Sequence, residues 1–319
     1  MKSKIERTAI ATMPPYAPYL DEVINHPVVS GIRLNTVMPL KESYEEALKR
    51  LNNKIQEQGK DLWIDLKCRQ LRVKEFGVPP YTAITLSHNI DVYTPCKAYF
   101  SSRNEVATIL QVDGNKLIMQ EGPRRVLGPG ESVTITHPTL KIEGYLTDTD
   151  KRYIEAANKV GLNKYMLSFV EQNSDFTELR NYVSNAEIVA KIESPKGLQF
   201  VKKEFGKDFS DLKFKNKGIK KDRLMAARGD LYMELHYPHE IVQGLELILN
   251  KDEDAIVASR LLESLTSNPE PSCEDIGDVD NLLRMGYKTF MFGDEVCLSR
   301  NILVSALNVF SLMARRYEK

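Results

Sequence analysis

Short apolar runs alternate with amphipathic segments along most of the chain. Segment 43–59 places its apolar residues at the i, i+3, i+4 spacing of a helix and ends at Gly59. Segment 195–206 opens with Pro195, which suits the first position of a helix. Apart from one long interruption, the pattern predicts eight strands, each followed by a helix. The predicted strands are IERTAIATM, SGIRLNTV, DLWIDLKC, KYMLSFVE, EIVAKIES, RLMAARGD and the runs that begin with AIVAS and KTFMF.

This order of elements favours an α/β fold in which eight βα units close into a (β/α)8 TIM barrel. Such barrels typically need about 250 residues, and the chain has 319. An open, doubly wound parallel sheet is the alternative that the pattern leaves open.

Residues 73–145 interrupt the series. TAITLSHNIDVYT, EVATILQVDGNKLIMQEG and GPGESVTITHP alternate apolar and polar residues, and DGN and GPG are turn signals. We therefore expect a small all-β module inserted after strand 3, with 1–72 and 146–319 forming the barrel and 73–145 a lid domain. On a barrel, this insertion would lie at the carboxyl-terminal rim, over an active site. An elaborated loop without a catalytic role is the alternative.

Composition and charge narrow the classes of function. Lys plus Arg and Asp plus Glu both number 44, so the formal net charge gives no support for binding nucleic acid or a membrane surface. We find neither a signal-peptide core nor an apolar stretch long enough to cross a bilayer. The four cysteines form no C-x-x-C pair, which indicates reduced thiols in a cytoplasmic protein. Segment 211–223 carries six Lys or Arg residues and is interpreted as a solvated surface loop.

Polar residues recur at the predicted carboxyl ends of the strands, where barrels carry their chemistry. Any one of these charged residues alone is more often part of a salt bridge at the rim, but their recurrence at successive strand ends indicates a site. They are Arg33, Asn35, Asp65, Lys67, Arg72, Ser168, Lys191, Glu193, Arg228, Gly229, Asp230, Ser259, Arg260, Asp294 and Glu295.

Lys191 and Glu193 are two residues apart on a predicted strand, so their side chains share the inner face of the barrel. A buried Lys with a buried Glu is costly, which favours a functional role. Glu193 and Asp230, from neighbouring strands, could bind Mg2+ or Mn2+ together with substrate oxygens and water. Arg33, Arg72 and Lys191 would then face an anionic substrate.

Several of these segments resemble motifs of the pyruvate kinase family. IVAKIESPKGLQFV resembles its strand-5 motif with a Lys and a metal-binding Glu, and LMAARGDLYMEL resembles its A-R-G-D-L motif. DLKCRQLRV, GIRLNTV, LSFVE and ASRLLESL resemble further family segments in the family's order, from about Ile5 to the last helix.

The resemblance implies a set of roles. Glu193 and Asp230 would bind Mg2+ or Mn2+, and Lys191 would stabilise the transferring phosphoryl group. Arg33 and Arg72 would contact phosphate, and Ser259 would keep the hydroxyl of an enolate proton relay. The remaining implied residues are Ala227, Arg228 and Gly229, with backbone groups around the substrate carboxylate, Ser168 and Lys67 as substrate-binding residues, and Asn35 and Asp65 as ligands of a monovalent cation.

The chain also departs from the family's pattern. Val37 replaces the Ser of the monovalent-cation site, which weakens the expectation of K+ activation. The expected lid is shorter than the family's, and no C-terminal regulatory domain is expected after helix 8. The other departures are Leu66 for Thr, Gln70 for Glu, Glu171 for Arg, Arg260 for Gln, and Gly293-Asp294-Glu295-Val296 for S-G-E-T.

The leading hypothesis is therefore a pyruvate kinase-like glycolytic enzyme that acts on phosphoenolpyruvate or pyruvate through a metal-bound enolate. ADP or ATP is a possible second substrate, and a homo-oligomer is a possible assembly. One alternative is a carbon–carbon lyase or aldolase of the same barrel superfamily. Another is a non-catalytic protein that retains the family's substrate pocket and uses it for binding.

Overall fold

The structure is a computed structural model and describes residues 6–100, 104–206 and 222–318. Within these ranges the strands are β1 Thr8–Thr12, β2 Val29–Asn35, β3 Asp61–Leu66, β4 Ile84–Thr85, β5 Ile90–Asp91, β6 Cys96–Phe100, β7 Glu105–Asp113, β8 Lys116–Met119, β9 Lys141–Ile142, β10 Lys164–Leu167, β11 Glu187–Ile192, β12 Arg223–Ala227, β13 Ile256–Ala258 and β14 Thr289–Phe292. The α-helices are α1 Leu20–Asn25, α2 Tyr44–Gln56, α3 Asp148–Lys159, α4 Asn173–Tyr182, α5 Pro195–Lys203, α6 Arg228–Glu234, α7 Ile241–Lys251, α8 Cys273–Met285, α9 Asp294–Cys297 and α10 Arg300–Arg315.

Eight parallel strands form a closed barrel in the order β1-β14-β13-β12-β11-β10-β3-β2. β1 pairs with both β2 and β14, so the sheet has no free edge. This confirms the (β/α)8 prediction over the open sheet. The barrel interior is filled by a separate cluster of buried side chains, as expected for a packed TIM-barrel core. Its members are Ile10, Trp63, Met166, Val189, Met225, Ala227, Ile256, Ala258 and Met291.

Helix caps fix the segments that carry the site. The Ser194 side chain accepts a hydrogen bond from the Gly197 backbone N–H, and Pro195 follows at the first position of α5, as predicted. A side chain at Gly197 would meet the Val170 carbonyl oxygen at 2.9 Å, so glycine lets α5 pack closely on the end of β10. Asp150 completes a capping box at the start of α3.

The same Asp150 carboxylate also accepts hydrogen bonds from the backbone N–H groups of Lys67 and Cys68, at 2.9 and 3.0 Å. Asp150 is fully buried. One carboxylate therefore ties the start of α3 to the chain that leaves β3, and this holds the carboxyl end of β3 in place.

An all-β module is inserted after β3, as predicted. Its four-stranded antiparallel sheet has the order β4-β8-β7-β6, and β5 pairs with β9. The DGN turn closes the β7–β8 hairpin, with Gly114 in the left-handed region at φ 58°. The module has its own cluster of buried apolar residues, separate from the barrel core. Its exact bounds, 73–145, remain a prediction.

Two details of the predicted elements differ from the structure. Segment 128–138 makes isolated pairings, among them Arg72 with Ser132 and Tyr99 with Thr134, instead of a continuous strand. Residues 228–230, predicted as the end of a strand, form the first turn of α6. The chain turns into a helix there because Ala227 is the last residue that pairs with β13.

Two further expectations concern exposed or apolar segments. Residues 211–221 of the basic segment 211–223 lie outside the described residues. No helix in the described ranges is long and apolar enough to cross a membrane.

Candidate active site

A cavity of about 400 Å³ opens at the carboxyl ends of the barrel strands. The barrel forms most of its wall, and Ser132 and Thr134 of the inserted module close one side. The lining residues are Arg33, Asn35, Lys67, Gln70, Arg72, Ser132, Thr134, Lys191, Glu193, Ala227, Gly229, Asp230, Met233, Ser259, Arg260, Glu263, Met291, Gly293, Asp294 and Glu295.

Asp65, the carboxylate beneath this cavity, is fully buried at the end of β3. Its Oδ1 accepts a hydrogen bond from Lys191 Nζ at 3.1 Å, and its Oδ2 accepts from Lys67 Nζ at 2.9 Å and Arg33 Nε at 3.0 Å. Burial opposes its charge, but Arg33, Lys191 and Lys67 hold the carboxyl pKa well below its usual range. Asp65 therefore stays ionised and positions three cations.

Lys191 Nζ has two more partners, Ser168 Oγ at 2.9 Å and Glu193 Oε1 at 3.2 Å. Burial lowers the pKa of Lys191, but the carboxylates of Asp65 and Glu193 outweigh burial and raise it. Lys67 differs, because burial and the neighbouring cations lower its pKa to about 8 despite Asp65. The network thus holds one firmly charged ammonium, that of Lys191, beside an ammonium that loses its proton more easily.

Glu193 and Asp230 are the two carboxylates predicted to bind a divalent cation. Both line the cavity. Glu193 Oε2 accepts the Phe169 backbone N–H at 2.7 Å, and Asp230 Oδ2 accepts Gln70 Nε2 at 3.3 Å. Burial raises the pKa of Glu193 to about 7, with Lys191 opposing and Asp230 adding to the rise. This repulsion between Glu193 and Asp230 is what a bound cation would relieve.

Arg33 and Arg72 line the cavity, but their N–H groups already bind protein atoms. Besides Asp65, Arg33 donates through Nη1 to Thr12 Oγ1 at 2.9 Å. Arg72 donates through Nε and Nη2 to Gln70 Oε1 at 3.1 and 2.6 Å, and through Nη1 to the Gly130 carbonyl. All three nitrogens of each guanidinium are therefore bonded within the protein, through three of its five N–H groups.

Left-handed backbone conformations mark the same end of the barrel. In the described ranges every non-glycine residue with positive φ lies in the loop that follows a barrel strand: Cys68, Phe169, Ser259, Arg260 and Leu262. Each such conformation costs about 1 kcal/mol or more. Strain of this kind collects at functional sites, where the surrounding structure enforces it.

The strained turn after β13 is held by Arg228. Its Nε and Nη2 donate to the Ser259 carbonyl at 3.1 and 2.9 Å, and Nη2 also donates to the Arg260 carbonyl. Its Nη1 binds both oxygens of Asp278 on α8, at 2.7 and 2.8 Å. The Arg228 side chain therefore leaves the cavity and fixes the turn that carries Ser259.

The structure brings most of the predicted residues together, with three exceptions. Ser168 is fully buried beneath Lys191 and does not line the cavity, because its Oγ donates to the Leu66 carbonyl at 2.8 Å. Arg228 turns its side chain away, as described. Asp65 lies beneath the cavity and does not line it, whereas Asn35 lines it, with its Oδ1 accepting the Val37 N–H at 3.2 Å and its Nδ2 donating to Asp294 at 2.8 Å. The role of Asn35 and Asp65 as ligands of a monovalent cation stays a prediction.

The sequence pattern did not single out every residue that lines the cavity. Met233 and Met291 add apolar wall, and Ser132 and Thr134 come from the distant module. Arg260 was expected at a strand end and does line the cavity, but no role in binding was expected for it from the sequence. The orientation of its side chain depends on the left-handed turn after β13, which leaves no signal in a single sequence.

Comparison with known proteins identifies the family. The family model described as "Pyruvate kinase, barrel domain" matches residues 105–299. A pyruvate kinase of Thermoplasma acidophilum is 26% identical over 325 aligned residues, which cover 94% of this chain and 55% of that protein. A pyruvate kinase of Methanocaldococcus jannaschii is 24% identical, over 93% of this chain and 66% of its own length. The chain thus spans between about half and two thirds of these relatives. Since the family model covers more than half of its residues, the chain belongs to the pyruvate kinase family.

Proposed function

We propose that the protein is a metal-dependent enzyme that transfers a phosphoryl group between phosphoenolpyruvate and an acceptor, by way of the pyruvate enolate. One observation carries this proposal. Lys191 Nζ lies 3.2 Å from Glu193 Oε1. Glu193 lines the same cavity as Asp230, and the negative charge of Asp230 raises the pKa of Glu193. A cation beside two carboxylates that repel each other is an arrangement suited to phosphoryl transfer.

The donor set of Glu193 and Asp230 fits Mg2+ or Mn2+. In the described ranges no group of three or more His, Cys, Asp or Glu side chains could hold a metal by itself. Mg2+ commonly binds through one or two carboxylates and completes its shell with water and substrate oxygens, so two are sufficient. When bound, the cation would supply positive charge to the substrate oxygens.

The chain's own residues supply the remaining roles. Lys191, held charged by Asp65 and Glu193, stabilises the negative charge of the phosphoryl group during transfer. Ala227 and Gly229 line the cavity, so their backbone groups are within reach of the substrate carboxylate. Ser259 lines the cavity, and its hydroxyl can pass a proton to the enolate carbon.

The test is pyruvate formation from phosphoenolpyruvate and ADP by the purified protein with Mn2+ or Mg2+. Lys191→Ala should abolish turnover. Lys164→Ala is a matched control, because Lys164 is a half-buried lysine at the opposite end of the barrel, paired with Glu187 at 2.9 Å. We expect this control to keep wild-type turnover.

Loss of turnover in both variants, or in neither, would contradict the role of Lys191. Absence of turnover together with absence of Mn2+ binding would contradict the proposed function itself and leave a non-catalytic binding protein.

A second candidate function is cleavage or formation of a carbon–carbon bond through the same enolate. The specific observation in its favour is that Arg33 and Arg72 already use their N–H groups on protein atoms. A substrate without phosphate would leave these bonds intact. Metal-dependent exchange of pyruvate methyl protons with solvent, without turnover of phosphoenolpyruvate, would support this candidate over phosphoryl transfer.

A further inference from the structure

Arg260 is the cavity arginine whose guanidinium donates to no oxygen acceptor in the described ranges. Its Nη2 contacts Met233 Sδ at 3.9 Å, which is a weak interaction. No carboxylate in the described ranges lies within 4.0 Å of it. By contrast, Arg33, Arg72 and Arg228 commit all three of their nitrogens to protein acceptors.

Stacking orients the Arg260 side chain without using its donors. Its guanidinium carbon lies 4.4 Å from the centre of the Tyr232 ring. An arginine that stacks on an aromatic ring keeps the N–H edge of its fork free for a carboxylate or a phosphate. The ring therefore orients the Arg260 guanidinium, and Glu263, the carboxylate that interacts with it electrostatically, makes no ion pair with it within 4.0 Å.

The backbone also holds Arg260 in a fixed place. Arg260 and Ser259 are left-handed, at φ 53° and 67°, and the Arg228 side chain binds the carbonyl groups of both. Met233, the contact of the guanidinium, lies one helical turn after Asp230 on α6. Arg260 therefore contacts the helix that carries Asp230, the proposed metal carboxylate, and both residues line the same cavity.

The other charged groups at this end limit what can bind. Glu263, Asp294 and Glu295 line the cavity; Asp294 is engaged by Asn35, and Glu263 interacts electrostatically with Arg260 and accepts a hydrogen bond from its backbone N–H. These carboxylates disfavour an anion at this end except where the Arg260 guanidinium offsets their charge. The cavity of about 400 Å³ also leaves room beyond a three-carbon acid, since pockets of this size hold larger ligands.

We propose that Arg260 is a specificity-determining residue that binds a carboxylate or phosphate of a ligand whose reacting end lies at Glu193 and Asp230. The proposal rests on the proposed function for the position of the reacting end. The anion has two possible sources. It is either a second carboxylate on the 2-oxo acid itself or a phosphate of the phosphoryl acceptor.

The experiment measures dissociation constants by calorimetry for pyruvate, 2-oxoglutarate and ADP, with and without Mn2+. Arg260→Gln should raise the dissociation constant of either 2-oxoglutarate or ADP about tenfold or more, which is the usual effect of losing a hydrogen bond to a charged group. Pyruvate binding should stay unchanged. Tyr232→Leu, which keeps the charge and removes the ring, should cause a smaller loss for the same ligand, and Tyr232→Phe none.

Arg152→Gln is the matched control. Arg152 is an exposed arginine beside a tyrosine ring, 5.9 Å from the centre of Tyr44 and outside the cavity. We expect all three ligands to bind this variant as they bind the wild type.

If only the binding of 2-oxoglutarate is weakened, Arg260 binds a second carboxylate of the substrate. If only the binding of ADP is weakened, Arg260 binds a phosphate of the acceptor. No loss for either ligand, a loss shared equally by pyruvate, or a wild type that binds neither 2-oxoglutarate nor ADP would overturn the proposal. Mn2+ binding, followed by electron paramagnetic resonance, separates this outcome from failure of the proposed function. If the wild type binds no Mn2+, the metal-free titrations still test Arg260.

Discussion

Lys191 Nζ on β11 lies 3.1 Å from Asp65 Oδ1 on β3, across the strand β10 that separates them. The same carboxylate holds Arg33 and Lys67. A single buried Asp therefore orders three cations at the floor of the cavity. Removal of that Asp would leave buried cations without their counter-charge, which is a large penalty.

We predict that Asp65→Asn lowers the free energy of unfolding at pH 7 by about 3–5 kcal/mol, the usual cost of breaking a buried ion pair. The folded-state pKa of Asp65 is depressed, so its stabilisation is present above the unfolded pKa of about 3.9 and is lost as the pH falls through the folded pKa. Glu193, whose pKa of about 7 is raised in part by Asp65, adds its own pH dependence near neutral pH. The stabilisation by Asp65 itself should be lost only below about pH 4.

Urea unfolding across this pH range measures the difference. Asp254→Asn is the control, because Asp254 is exposed and pairs with Lys288 at 3.3 Å near the other end of the barrel. The control should stay within about 0.5 kcal/mol of wild type. A difference for Asp65→Asn that does not narrow below about pH 4 would contradict the assignment.

A second prediction concerns the metal. Glu193→Gln and Asp230→Asn should each abolish Mn2+ binding, because a cation held by two carboxylates loses half of its protein ligands. Glu263→Gln should retain it, although Glu263 lines the same cavity. The electron paramagnetic resonance signal of free Mn2+, followed during titration, measures the Mn2+ affinity of all three variants. Equal affinity in wild type and Glu193→Gln would place the metal elsewhere.

A third prediction concerns the turn after β13. Arg228→Lys should release the carbonyl groups of Ser259 and Arg260, because a lysine cannot bind Asp278 and two carbonyls at once. Faster hydrogen exchange confined to residues 258–266 is the expected result. Asp278→Asn should cause a smaller change in the same segment, and the double variant should not exceed Arg228→Lys. Unchanged exchange in this segment would show that other contacts hold the strain.

A fourth prediction concerns monovalent cations. Asn35 is bonded to Val37 and Asp294, Asp65 is surrounded by three cations, and Val37 offers no side-chain oxygen. Turnover should therefore be the same in KCl and in choline chloride at equal ionic strength. Activation by K+ that disappears in choline chloride would contradict this geometry.

The fold could be read from the sequence because its signals are local. The spacing of apolar residues in α2, the cap of α5 and the alternation around the DGN turn report short-range preferences that the tertiary structure did not override. Lys191 and Glu193 stood out for the same reason. The two-residue period of a strand places both side chains on one face, and Val189 in the barrel interior shows which face that is.

What the sequence by itself determined is the barrel, the inserted module and the set of polar strand ends. Only the tertiary structure decided how these polar groups pair. In the tertiary structure Ser168 is buried beneath Lys191, and Arg228 binds Asp278 outside the cavity. Arg72 donates to Gln70, whereas the Arg260 guanidinium donates to no oxygen acceptor in the described ranges. Hydrogen-bond partners far apart in the chain, and the left-handed turns that aim them, depend on the packing of whole strands and loops. A local pattern of residue types does not encode those distances.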